Sequence, residues 1–375
     1  MKGGLSNGMK KILVITPFFY PHIGGSEGYM EGLYVYLKQK QPQIQVDVLC
    51  YNTDKAKEKE VYKGLNIYRI PCWTILPGQF CLPRPVSLFK FLKSNKSYDL
   101  VHCSTRFFDS SWWAPLYAKL TKTKIVLTDH CAYHPTSGKG FVRLAVRLVE
   151  ATIVRFSLNF YDQVFVQNKK TGEFLKNTFG INSKLAYPGL DFRSDRFIVK
   201  NNQKINVVYV GRMIPSKGVE TLFQIAAKTT KANFFFAGEG ELAGPLKKRA
   251  KENKFGNISI LGSLSKSEVL KLLKSADIFA YPSWHSEGLP MALLEAGAMG
   301  LAVLATDSGA ISELIKDGQT GVLVQKNDSG AFRQALDGLL KDRNLREKLG
   351  RELQKFTLEN FSWENAASLV LQNLQ

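Results

Sequence analysis

Cysteine is scarce and unpatterned in this chain. Its five cysteines (Cys50, Cys72, Cys81, Cys103 and Cys131) are odd in number, scattered, and never form a C-x-x-C pair. That excludes a disulfide or zinc framework and points to reduced thiols in a cytoplasmic protein. Histidine is equally sparse, with five residues and no H-E-x-x-H. His130 and His134 stand four apart, but Pro135 breaks a helix there, so no metal site is expected. No apolar run reaches the roughly 18–20 residues that span a bilayer, and no low-complexity tract is present. Acid is short against base, with 32 Asp and Glu facing 51 Lys and Arg.

What is present is the length and rhythm of two domains. A chain of 375 residues is too long for one core. Lys10-Lys11 followed by Ile12-Leu13-Val14-Ile15 mimics a secretory leader. The run is short, stops at Pro17 and lacks a small-residue cleavage site, so it reads as a first buried strand; Met9 is an alternative start. Short apolar runs then alternate with helix-period segments. Strands are expected at 11–17, 45–51, 65–70, 98–103, 124–129 and 163–167. The same rhythm restarts at 205–210, 232–237, 258–261, 277–281, 302–306 and 321–324. Helical patterns include Ser26 to Lys38 and Lys139 to Phe156, and Ser265 with Glu268 forms a capping box. Such alternation predicts an α/β protein of two doubly wound parallel sheets with ligands at the strands' carboxyl ends. The boundary is expected at Tyr187-Pro188-Gly189-Leu190-Asp191. This divides the chain into domains 1–190 and 191–358, followed by a terminal helix within 359–375 capped by Ser362.

The excess charge is uneven: residues 1–190 carry 26 basic against 12 acidic side chains, and residues 191–375 carry 25 against 20. A basic first half suits an anionic surface as partner, or simply solubilises the chain.

Several sequence features carry chemistry. Glu287 and Glu295 lie eight positions apart across the start of an apolar helix, with Pro290 in the first helical turn. Glu295 has no cation near it in sequence, and a polyhydroxylated ligand would satisfy it. A solvated pair is the ordinary cause of such spacing; its surroundings set this one apart. Val207-Val208-Tyr209-Val210-Gly211 leads to Arg212 and then Lys217-Gly218, two cations flanking a strand-to-helix loop that can clamp a diphosphate. Gly238-Glu239-Gly240 ends another strand and leaves room for a base or ribose. Gly24-Gly25 after the first strand allows close approach of backbone amides to phosphate or sugar. His130 ends a strand of the first half, suited to bonding a sugar hydroxyl or to a structural role.

Taken together these elements resemble the retaining GT-B-fold glycosyltransferases of glycosyltransferase family 4. The likeness runs from Gly24-Gly25 through His130, Tyr187 to Asp191, Gly211-Arg212, Lys217-Gly218 and Gly238-Glu239-Gly240. It continues through Pro282-Ser283 and Glu287 to Glu295, and ends at Phe361-Ser362-Trp363. It implies two Rossmann-like domains facing a cleft, with a terminal helix returning to the first. It further implies that Arg212 and Lys217 hold a donor diphosphate and that Glu295 binds ribose. Glu287 would hold the donor sugar with the amides of Gly288 and Leu289. His130 would sit by the transferred sugar, Gly24-Gly25 against diphosphate and acceptor, and Gly238 and Glu239 at the nucleoside. The substrate would be a nucleoside-diphosphate-sugar, with no cofactor and no metal. The family's frequent Pro-Asn-Gly-Val-Asp is here Tyr-Pro-Gly-Leu-Asp, which alters a turn.

The acceptor implied is a glycan or lipid-linked molecule met by the basic first domain. Two segments suit an anionic membrane: one with Arg84, Lys90 and Lys93 among Phe and Leu, the other with Arg143 and Arg147 on one helical face. An amphipathic helix packing its Leu/Val face on the sheet gives the same pattern. A nucleotide-sugar epimerase of the same fold is the alternative enzyme, and a binder of nucleotide-sugar or nucleic acid the non-catalytic one. No helix-turn-helix, zinc or RNA-binding signature occurs, so no nucleic-acid partner is expected.

Overall fold

The computed structural model describes residues 9–22, 24–76, 80–94, 97–134, 141–190, 204–286 and 288–374. The chain forms two compact units. One comprises Met1–Gly189 with Ser362–Gln375, and the other Leu190–Phe361.

The first unit begins with β1 (Lys11–Ile15), α1 (Gly25–Lys40), β2 (Gln45–Tyr51), β3 (Lys59–Tyr62) and β4 (Leu65–Ile70). A hairpin follows, β5 (Cys72–Leu76) and β6 (Phe80–Pro83), then α2 (Pro85–Ser94), β7 (Leu100–Ser104), α3 (Ser110–Thr121) and β8 (Lys124–Asp129). Next come α4 (Phe141–Val149), a π-helical turn over Glu150–Val154, α5 (Arg155–Leu158), β9 (Gln163–Val166), α6 (Lys169–Phe179) and β10 (Lys184–Leu185). Its eight-stranded sheet has the order β10-β9-β8-β7-β1-β2-β4-β3, parallel except for β3 against β4. The continuous apolar run of β1 is what a strand buried on both faces requires. Ile12 and Val14 enter the core under α1, while Leu13 and Ile15 enter the opposite core, which receives α3.

The second unit alternates β11 (Ile205–Val210), α7 (Val219–Ala227), β12 (Ala232–Ala237), α8 (Ala243–Glu252), β13 (Ile258–Gly262) and α9 (Lys266–Ser275). It continues with β14 (Ile278–Tyr281), α10 (Met291–Ala298), β15 (Ala302–Asp307), α11 (Ile311–Leu314), β16 (Val322–Gln325), α12 (Ser329–Lys341) and α13 (Arg343–Asn360). All six strands are parallel, in the order β13-β12-β11-β14-β15-β16. The capping box that opens α9 is present in both halves, Ser265 receiving the Glu268 amide and Glu268 receiving the Ser265 amide.

The last helix, α14 (Trp363–Gln372), returns to the first unit and packs on α1. Trp363 is buried, its ring 5.4 Å from that of Tyr29. A Cβ at Gly32 or Gly189 would fall 2.2 Å from Trp363, so both glycines are dictated by the docked indole. The change of unit falls between Phe361 and Ser362. The expected break at 358/359 therefore lies inside α13, whose helical hydrogen bonding carries on to Asn360.

Candidate active site

In the second unit the sheet grows in opposite directions from β11 and β14. The crevice outside the carboxyl ends of such a pair is the topological switch point of a doubly wound sheet. The loops leaving these two strands hold the Arg-Lys pair and the approach to Glu295. They are tied together: the amides of Trp284 and His285 both donate to Ser216 O, at 3.2 and 3.1 Å. Gly218 sits at φ +66, and a Cβ there would lie 2.0 Å from Pro282 O. Only glycine allows this contact.

Lys217, just before it, is buried at 7% exposure and donates from Nζ to Tyr281 Oη at 3.3 Å. A strand-end phenol thus holds an ammonium inside the switch point. Arg212 is anchored by its backbone, whose carbonyl accepts from Tyr209 Oη at 2.8 Å. Its side chain is exposed and forms no ion pair among the described residues. Glu295 is half-buried in the second turn of α10. Pro290 is the residue capping that helix rather than part of its first turn, and its carbonyl accepts from Leu293 N at 3.0 Å and Leu294 N at 3.3 Å. The amides of Met291 and Ala292 meet no backbone acceptor among the described residues, leaving donors at the end favoured by anions. Leu289 is buried and Gly288 half-buried, while Glu287 lies outside the described residues.

Gly238 and Glu239 do structural work that the sequence reading did not foresee. At φ +137, a Cβ on Gly238 would lie 2.0 Å from Gly211 O, so glycine is set by loop packing. Glu239 Oε1 accepts from Ser263 N at 3.0 Å, tying the β12 loop to the β13 loop.

The first unit has its own switch point between β1 and β7. His130 follows β8; its Nε2 is 3.3 Å from Ser104 Oγ, and its Nδ1 is buried without a hydrogen bond of good geometry. Burial lowers its pKa, with Gln167 and Asp129 acting the other way, so the imidazole favours the neutral form. Beneath it His102 is clamped between Tyr34 Oη at 2.5 Å and Thr128 Oγ1 at 2.7 Å, and burial pushes its pKa down to about 3. Gly24 and Gly25 are exposed. A Cβ on Gly24 would lie 2.2 Å from Glu27 Oε2, so this glycine makes room for the buried Glu27; Gly25 faces open space.

A buried ion network escaped the sequence reading. Arg106 is 1% exposed and pairs with Asp129 and with Glu150 Oε1 at 3.3 Å. It also donates to Cys131 O at 2.7 Å and Tyr133 O at 2.9 Å, which fixes the chain just after His130. Glu150 Oε2 lies 2.5 Å from His134 Nδ1. The available signal was a lone Glu in the mostly apolar stretch Leu148 to Val154 and a lone Arg two residues after β7. No group of three or more His, Cys, Asp or Glu is placed to hold a metal among the described residues.

Two family models match in tandem: Glycosyltransferase Family 4 over residues 23–193 and Glycosyl transferases group 1 over residues 191–356. This chain is a GT-B glycosyltransferase. It is 26% identical to an uncharacterized glycosyltransferase of Methanocaldococcus jannaschii, over 96% of this chain and 97% of that one. It is 24% identical to the GDP-mannose-dependent monoacylated alpha-(1-6)-phosphatidylinositol monomannoside mannosyltransferase of Corynebacterium glutamicum, over 98% of each. Among solved structures, Anabaena HepE in complex with UDP-glucose superposes with a TM-score of 0.71 at 15% identity, covering 97% of this chain and 99% of that one. The glycosyltransferase thus has the GT-B pair of Rossmann-like domains, with its terminal helix returned to the first.

Proposed function

We propose that this glycosyltransferase is a metal-independent, retaining enzyme of the cytoplasm. It moves a sugar from a nucleoside-diphosphate-sugar to a lipid-linked or glycan acceptor of the cell envelope, working against an anionic membrane surface. The observation that carries the donor half is the interlocked pair of loops after β11 and β14. These loops set the buried ammonium of Lys217 at the switch point from which α10 departs. Glycosyl transfer builds positive charge on the sugar and negative charge on the departing diphosphate. Lys217, Arg212 and the α10 amides answer the second without a divalent cation. Glu295 binds the ribose diol, and Glu287 with the amides of Gly288 and Leu289 holds the sugar. His130, neutral through burial, hydrogen-bonds the transferred sugar without adding charge. Retention follows from attack on the face that the diphosphate leaves, its oxygen taking the acceptor proton.

A relative named for a phosphatidylinositol-mannoside acceptor and a neighbour carrying UDP-glucose support this reading. Its test is transfer from UDP-, GDP- and ADP-sugars to lipid-linked sugar in EDTA, the product's anomeric configuration read by proton NMR. The donor's configuration is expected in the product. Lys217→Met is expected to lower kcat/KM by about 10²–10³, the cost of removing one group that stabilises developing charge. An inverted anomer, loss of activity in EDTA, or an unaffected Lys217→Met enzyme each contradicts it.

A further inference from the structure

No helix among the described residues is long and apolar enough to cross a membrane. Yet among the described residues the exposed large apolar side chains on helices all belong to α2, α3, α4, α5 and the π-helical turn, and none to the helices of the second unit. Leu116 and Leu120 on α3, Leu144 and Leu148 on α4, Phe156 on α5 and Phe160 just beyond are 38% to 76% exposed. The inner sides of α3 and α5 are already used, with Ala114, Ala118 and Leu158 in the core. These helices are therefore apolar outward as well as inward, and α3 packs beside α5 and the π-helical turn. The amphipathic pattern of α4 does not bury its leucines on the sheet.

Cations stand among these apolar side chains. Lys119 stands 5.5 Å over the Phe160 ring, whose centroid is 4.9 Å from that of Phe156; Arg147 on α4 and Arg155 on α5 are exposed. Helices α2 to α5 contain no acidic residue, and Glu150 between α4 and α5 is buried on Arg106. Exposed leucine and phenylalanine bordered by Lys and Arg match the headgroup boundary of an anionic bilayer, with side chains for the acyl region and cations for phosphate. A second copy would bring like charge against like, in a chain of formal charge +19.

We propose that the outer face of α3, α4 and α5 is a docking surface for an anionic lipid bilayer. It rests on and deepens the reading of a lipid-linked acceptor, keeps the α4 segment of the two expected from sequence, and adds α3 and α5 to it. Lys90 and Lys93 on α2 are exposed beside Phe89, and Arg84 lies just before α2. The side chain of Arg143 lies outside the described residues.

The test is co-sedimentation of the whole chain with phosphatidylcholine vesicles, with and without phosphatidylglycerol, and with no sugar present. It therefore reads binding separately from transfer. The wild type is expected to pellet only with anionic vesicles. Leu120→Ser with Phe156→Ser, and Lys119→Glu with Arg147→Glu, alter exposed side chains. Each pair is expected to weaken binding at least about tenfold, the first through lost apolar insertion and the second through lost attraction of cations to the anionic surface. Lys247→Glu with Lys251→Glu, on α8 of the second unit, should bind as wild type does. Equal loss in the α8 pair would show generic attraction and overturn the proposal. So would undiminished vesicle binding in the α3–α5 pairs, or a change in them confined to self-association.

Discussion

Asp109 closes the loop after β7 with Oδ2, which accepts from Tyr51 Oη at 2.7 Å and Trp113 Nε1 at 3.2 Å; Oδ1 is buried without a partner. Burial lifts its pKa to about 6, against these hydrogen bonds. The folded state therefore holds this proton more tightly than the unfolded chain. Stability falls as pH rises from the ordinary carboxylate range through about 6, and is flat above. Asp109→Asn keeps the shape and removes the buried charge. It is expected to be more stable than wild type by about 1–3 kcal/mol near pH 8, with the gap closing below about pH 4. Thermal unfolding at the two pH values checks this; an Asn protein less stable than wild type near pH 8 contradicts it. At this scale legibility depended on distance along the chain. Lys217 and Glu295 stood out because each belongs to a short strand-loop-helix pattern. Asp109 did not, because its partner Tyr51 is 58 residues away and meets it only through the sheet.

Helix α4, the π-helical turn and the loop after β8 are held as one assembly by Arg106, which reaches Asp129, Glu150 and the carbonyls of Cys131 and Tyr133. Removing the cation leaves Asp129 with backbone amides only and Glu150 with His134 only, two buried carboxylates without their shared guanidinium. Arg106→Met is expected to cost about 3–5 kcal/mol of unfolding free energy, read from urea denaturation. A loss below about 1 kcal/mol, the scale of an exposed ion pair, would contradict the buried role. Parallel strands announced themselves as unbroken apolar runs, as in β1, β8 and β11, because both faces are covered. The elements missed were β3, β5, β6 and β10. β10 is two residues long, and β3 and β10 are the sheet's edges. The hairpin β5–β6 stands apart from the large sheet, and its exposed Trp73 and Ile75 follow no core-facing pattern.

At the scale of the molecule, the chain leaves its first unit near Gly189 and returns at Ser362, so the last helix completes a core begun at β1. The turn around Tyr187 and the Phe-Ser-Trp segment marked those crossings in sequence. What sequence could not display was which face of the first unit remains apolar outside, because helical period alone does not distinguish a packed leucine from an exposed one. The two units divide the labour proposed above, with donor held in the second and acceptor and bilayer met by the first. The central claim is the donor site at the β11/β14 switch point. Its most direct test is thermal unfolding of the purified protein with UDP, GDP or ADP. One nucleoside diphosphate is expected to stabilise the fold by about 2.7 kcal/mol at a hundredfold excess over its Kd, with the gain lost in Lys217→Met and in Glu295→Ala. Stabilisation by none of the three, or a gain undiminished in both variants, would contradict the account.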